Sequence, residues 1–129
     1  FRWVQIQLVK KNNIFENYVV FDLETTGKNP ETCGIVEIAA VRVRKGKIAG
    51  EFQTLVNPGQ PIEAGAREIH HISESDVKNA ATLSDIWNEF TEFIGTDLLI
   101  AHNGFAFDFK IMDRMARELG KKRLANVRY

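Results

Sequence analysis

The sequence predicts an α/β domain in which helices pack against a mixed β-sheet, and three observations carry that reading. The run Tyr18 to Leu23 is apolar and β-branched, interrupted only by Asp22, as expected of a strand buried on both faces. A hairpin pattern follows from Ile35 to Val56. Two helical periodicities then flank a short apolar strand, Leu98 to Ala101. A hairpin followed by β-α-β crossovers places antiparallel strands first and parallel ones after, with helices on the sheet.

Taken in order, residues 1–9 alternate loosely, with Val4, Ile6 and Leu8 on one side, and read as a strand or a linker from a preceding domain. Residues 10–17 are polar and turn-like, so 1–17 is read as an N-terminal extension and 18–129 as the domain. Ile35 to Arg44 forms a second strand, Lys45-Gly46 the turn, and Ile48 to Val56 the return, closed by Asn57-Pro58-Gly59. Residues 60–81 read as irregular, with one short helical turn near 63–69. Thr82-Leu83-Ser84-Asp85 fits a capping box. It opens a helix whose Leu83, Ile86, Trp87, Phe90, Phe93 and Ile94 share one face, and Gly95 stops it. A second helix is expected from about Phe107 to Leu119, burying Ile111, Met112, Met115 and Leu119 and ending at Gly120.

Composition excludes several classes. Cys33 is the single cysteine, so neither an intrachain disulfide nor a cysteine-built zinc site can form. No apolar run is long enough to span a membrane, and the first residues lack the pattern of a signal peptide. A reducing, cytoplasmic setting is the expectation. Net charge is zero, but its distribution is uneven: residues 110–129 hold seven basic and two acidic side chains. Lys110, Arg114, Arg117, Lys121, Lys122, Arg123 and Arg128 either favour phosphates or form a solvated helix face and loop. Phe1 in place of Met, and an end at Tyr129 just past a helix-and-loop pattern, read as a piece of something longer.

The chemistry lies in the carboxylates. Asp22 and Glu24, two apart on a strand, point to one face. Placed at the end of a buried strand they repel each other and lose hydration, a cost that a cation offsets, and hard oxygen donors suit Mg²⁺ or Mn²⁺. The alternative is that the strand ends at Leu23 and both acids are solvated. Asp108 follows a short strand and the polar turn His102-Asn103-Gly104. It either favours a helix dipole or joins the other two where strand ends build sites in α/β folds.

YVVFDLETTG (18–27) closely resembles the first motif of the DnaQ-like (DEDD superfamily) 3′–5′ exonucleases, the family of the proofreading epsilon subunit of bacterial DNA polymerase III. AHNGFAFDFKIM (101–112) resembles the family's second motif. Between them GIVEIAAVRVRKGKI and FQTLVNPGQPI look like its second and third strands, and EIHHISESDVKNAATL (68–83) is similar to its connecting stretch. The ordered set spans nearly the whole chain.

This resemblance implies a ribonuclease-H-like fold and removal of nucleotides from a 3′ end by two-metal phosphodiester hydrolysis. It makes Asp22, Glu24 and Asp108 the metal-site carboxylates, with Asp22 between the metals, Glu24 on the nucleophile's side and Asp108 acting partly through water. It sets Thr25, Thr26, Gly27 and His70 about the terminal nucleotide, Gly27 also being read as a turn glycine with positive φ. His102 and Asn103 are counted beside the substrate too, chiefly shaping the strand end. Phe105 and Phe107 are candidates for stacking on a base or for the core, and the core is favoured for Phe107. Single-stranded nucleic acid with a 3′ end is the expected partner, DNA before RNA, in a host such as a DNA polymerase or helicase; the rival is a module that binds 3′ ends without cutting them. The family's third motif, carrying a general-base histidine and a fourth aspartate, is expected beyond Tyr129, because no acid follows Glu118 and no histidine follows His102. Residues 1–129 alone are accordingly expected to be poorly active, and to leave bare an apolar sheet face that a last helix would cover.

Overall fold

The computed structural model describes residues 16–129, and the reading of residues 1–9 lies outside them. Four strands form one sheet, β1 (Tyr18–Thr25), β2 (Ile35–Arg44), β3 (Lys47–Leu55) and β4 (Leu98–Ile100), in the order β3-β2-β1-β4. β1 pairs antiparallel with β2 and parallel with β4, and β2 pairs antiparallel with β3. The sheet is therefore mixed, as the pattern of hairpin and crossovers predicts. The chain returns beside β4 at its end: Leu99 bridges Arg128 in parallel, with Tyr129 N–H donating to the Leu99 carbonyl at 2.8 Å.

β1 does not stop at Leu23. It continues through both acids to Thr25, because β2 supplies partners all the way: Asp22 faces Ala39, Glu24 faces Glu37, and the ladder shifts only between Glu24 and Thr25. The hairpin turn at Lys45 and Gly46 has φ of 50° and 73°. Two consecutive left-handed residues match the right-handed strand twist, and glycine takes the second position at no steric cost.

Four helices follow the hairpin: α1 (Ala64–His70), α2 (Glu74–Val77), α3 (Leu83–Ile94) and, after β4, α4 (Asp108–Glu118). The stretch read as irregular thus holds a second short helix, α2. Its signal lies in the sequence, since Ser73 and Asp76 form a capping box like that of Thr82 and Asp85 at α3. α4 begins at Asp108, with Phe107 outside its first turn.

Pleating divides the sheet into two unlike faces. One carries Val19, Phe21, Leu23, Ile38 and Ala40, and α3 and α4 close over it with Ile86, Trp87, Phe90, Ile94, Phe109, Ile111 and Met112. Phe21 meets Phe90 edge-on at 6.2 Å and Phe109 at 5.4 Å, and Phe52 meets Phe90 at 5.7 Å. Phe93, expected in the core, is only partly buried, with the Arg42 guanidinium 4.3 Å above its ring. Met115 and Leu119 are likewise partly buried, whereas Phe109 and Ala116 are the buried positions of α4 that complete its face. The other sheet face carries Tyr18, Val20, Val41, Val43 and Ile100, then Asp22 and Glu24 toward the end of β1. Its apolar part is covered, Tyr18, Val20 and Val43 being 0 % exposed, so at these described residues the sheet face expected to be bare is buried. No described helix contributes to that cluster.

Phe90 is fully buried and meets both Phe21 and Phe52. Phe90→Ala should destabilise the fold by about 3–5 kcal/mol, whereas Thr82→Ala, which removes only a helix cap, should cost about 1 kcal/mol. Denaturant midpoints of the two variants, with unchanged slope, check the difference.

Candidate active site

The end of β1 and the start of α4 meet, and one backbone hydrogen bond joins them. Leu23 N–H donates to Asp108 Oδ2 at 3.3 Å, across 85 residues of sequence. Leu23 lies between Asp22 and Glu24, so the third carboxylate is anchored on the peptide that separates the first two. All three acids predicted from sequence are brought to this end of the sheet. Asp22 and Glu24 are half-buried and Asp108 is 5 % exposed.

Burial is the main force on Asp108. It pushes the carboxyl up to about 6, and the charge of Glu24 pushes the same way, while the Leu23 N–H, the N–H of Asp108 itself and the charge of His102 pull back. Taking an acid out of water without a full set of donors disfavours its ionised form, and such groups concentrate at reactive sites. His102 is exposed on the turn before α4 and is felt by Asp108 as a charge.

That turn is shaped for its task. Asn103 adopts φ 54°, and its carbonyl accepts from Ala106 N–H at 3.2 Å and Phe107 N–H at 3.1 Å. A Cβ on Gly104 would stand 2.7 Å from the Phe109 ring and 2.9 Å from Ala101 Cβ. Both neighbours belong to the core, so only glycine lets the backbone pass here and deliver Asp108. Phe105 is 63 % exposed with its ring 5.3 Å from that of Phe109, and Phe107 packs partly on the core.

The turn after β1 is tied by its own side chains. Thr25 Oγ1 donates to the Gly27 carbonyl at 2.8 Å, and Thr26 Oγ1 accepts from Gly34 N–H at 2.9 Å and from Gln60 Nε2 at 3.1 Å. Gly27 does not have the positive φ expected of it. A Cβ there would stand 2.0 Å from Glu63 Oε2, the far end of a flexible, exposed side chain that can move aside. His70 reaches this turn, with Nε2 2.9 Å from the Thr25 carbonyl and Nδ1 3.0 Å from Ile72 N–H. Both ring nitrogens are therefore committed to backbone.

Beside Glu24 lies a cavity of about 280 Å³, lined by Leu23, Thr25, Gly27, Ala66, Ile69, His70 and Phe107. Its walls are apolar, its rim is polar, and it adjoins the carboxylates. Ile69, 69 % exposed, is a wall residue that sequence reading passed over; an apolar residue exposed on a short helix beside a site is its only signal. Of the basic residues near the end of the chain, three are engaged by protein groups. Arg114 donates to the Pro30 carbonyl at 3.0 Å, and Arg123 and Arg128 pair with Asp113.

The donors suit a hard divalent cation in kind, being carboxylate oxygens one of which is held at a desolvation cost. As the side chains stand, no group of three or more His, Cys, Asp and Glu is arranged to hold a metal ion among the described residues. No helix among them is long and apolar enough to cross a membrane.

A half-buried acidic pair on a central strand thus meets a third acid delivered by a glycine turn that follows the neighbouring parallel strand. A family model described as Exonuclease matches residues 19–129, and the chain belongs to that exonuclease family. It is 38 % identical over 104 residues to the PolC-type DNA polymerase III of Bacillus subtilis (strain 168), an alignment covering 81 % of this chain and 7 % of that protein. It is 44 % identical over 108 residues to a DNA polymerase III subunit epsilon-like protein of Rhodobacter capsulatus, covering 81 % and 15 %. The chain thus spans a small part of the curated relatives it matches. In fold it is similar to exonuclease I in complex with inhibitor BCBP, with a TM-score of 0.80 at 16 % identity, covering 88 % of this chain and 28 % of that one. An E. coli exonuclease I in complex with a dT13 oligonucleotide gives 0.78 at 15 % identity, covering 89 % and 28 %.

Asp108 supplies a pH test with a defined sign. Its folded value of about 6 lies above the ordinary 3.8, so its contribution to stability is greatest below about 4 and is lost as pH rises through about 6. Without divalent metal at pH 8, Asp108→Asn should therefore be more stable than wild type by about 1–3 kcal/mol, since an amide oxygen still accepts from Leu23. Melting in EDTA from pH 4 to 8 checks this; equal melting temperatures at pH 8 would refute it.

Proposed function

We propose that this chain is the catalytic part of a metal-dependent 3′–5′ exonuclease acting on single-stranded DNA ends, within a larger replication or repair protein in the cytoplasm. The observation that carries the reading is the buried Asp108 carboxyl, anchored on the peptide between Asp22 and Glu24 in a chain of the exonuclease family. An acid held this way in the metal-free state is costly, and a bound cation is what removes the cost.

Asp22, Glu24 and Asp108 would hold Mg²⁺ or Mn²⁺, which when bound lowers the pKa of water and neutralises charge on a phosphate. Asp108 has to give up its proton to join the set, and burial lets it hold that proton up to about pH 6 when no cation is bound. The cavity beside Glu24 receives the terminal nucleotide, with Leu23, Ile69 and Phe107 against the base and sugar and the Thr25–Gly27 turn at the rim. Exposed Phe105 is placed to stack on a further base of the strand. DNA is favoured over RNA by the relatives, which are named as DNA polymerase III proteins, and by structural neighbours such as the exonuclease I in complex with a dT13 oligonucleotide. The same names point to a polymerase as the host.

The test uses the full protein on a 5′-labelled single strand with Mn²⁺ or Mg²⁺. Hydrolysis should release single nucleotides from the 3′ end, and Asp22→Ala and Asp108→Ala should each lower the rate by about 10³-fold or more while the fold persists. Calorimetry of Mn²⁺ binding is the companion measurement. Equal affinity in wild type and Asp22→Ala would sink the assignment, and retained binding of 3′ ends without any hydrolysis would support a non-cutting module instead.

A further inference from the structure

α1 forms one wall of the cavity, yet little in its own sequence holds it there. It is seven residues long, none of them buried, and its N-cap residue Glu63 makes no side-chain cap. A helix this short has no stability of its own, so its position depends on tertiary attachments. Two are present. Glu63 N–H donates to the Thr26 carbonyl at 2.8 Å, and His70 Nε2 lies 2.9 Å from the Thr25 carbonyl. Both ends of α1 are thus pinned to consecutive carbonyls at the end of β1, directly after Glu24. Between the pins, Ala66 and Ile69 face the cavity across from Leu23 and Phe107.

The tautomer of His70 follows from its partners. Ile72 N–H can only donate, so Nδ1 accepts and carries no proton; the Thr25 carbonyl can only accept, so the ring proton is on Nε2. The approach of Ile72 is itself built in. His71 adopts φ 59° and returns its N–H to the Arg67 carbonyl at 2.8 Å, which turns the chain back over the ring.

We propose that His70 is a positioning residue, held as the neutral Nε2–H tautomer, that latches α1 to the end of β1 and so fixes the cavity wall beside Glu24. The latch stands on geometry alone; what the cavity receives rests on the exonuclease reading above. His70 acts through the wall it holds, with no nitrogen left to meet a substrate. Truncating it should weaken substrate capture more than chemistry.

Two measurements on the full protein separate the latch from the function. Long-range ¹H–¹⁵N spectra of ¹⁵N-histidine-labelled protein at pH 8, with His70 assigned through His70→Gln, should show Nε2 protonated and Nδ1 bare. An Nδ1–H ring, or averaged tautomers, overturns the latch, and the wild-type spectrum decides this even where a variant folds poorly. In steady-state hydrolysis of a single-stranded oligonucleotide, His70→Asn keeps a polar atom near Ile72 but cannot reach Thr25, whereas His70→Gln places an amide N–H where Nε2 was. The Asn variant should raise KM about five- to tenfold with kcat changed about twofold or less, and Gln should restore most of the loss. Equal losses in Asn and Gln, or a fall confined to kcat, would overturn the positioning role. Absence of any hydrolysis by wild type would refute the proposed function and leave the spectrum to judge the latch.

Discussion

Much of this structure turns on the hydrogen bond from Leu23 N–H to Asp108. β1 must serve two ends at once. Its odd-numbered side chains, Val19, Phe21 and Leu23, are core, while Asp22 and Glu24 are presented on the opposite face. A strand peptide used in this way has no side chain to offer the third acid. Its N–H takes that role, and α4 is set down where its first residue can reach it. Around this contact the turn at Asn103 and Gly104, the packing of Phe109 and the closure of the Thr25–Gly27 turn all fall into place, since each fixes one side of the same junction.

The junction is electrostatically uncomfortable without a cation, and the rest of the fold absorbs the discomfort. Asp108 is buried beside a like charge, with two backbone N–H groups and the distant charge of His102 as partial relief. The aromatic stack of Phe21, Phe90 and Phe109 under the same strand supplies rigidity that such an arrangement requires. A less firmly packed core would let the carboxyl swing out to water.

Much of this was legible in the residues. Apolar continuity gave β1, turn chemistry at Lys45-Gly46 gave the hairpin, and the Thr82–Asp85 box located α3, because in each case the local signal agrees with the tertiary outcome. Asp22, Glu24 and Asp108 were legible as a group through family motifs rather than through spacing. What escaped depends in part on contacts between distant segments. α2 is only four residues long, Glu74–Val77, too short to show a helical periodicity. Gly27 does not take the positive φ that its place in a turn suggested. Three of the basic residues near the end of the chain, read as either phosphate contacts or a solvated face, are held by Pro30 and Asp113.

The sheet order has a consequence for how the molecule comes into being. β2 and β3 are joined by a two-residue turn and can pair early, with almost no loop to close. β1 and β4 are neighbours in the sheet but about eighty residues apart in the chain, and their parallel pairing waits for α1, α2 and α3 to be laid down. Non-local pairings of that kind are the slow step of folding. The peptide of Leu23 and the carboxyl of Asp108 meet across that last-closed seam. A chain in which that seam is open therefore has no assembled acidic centre.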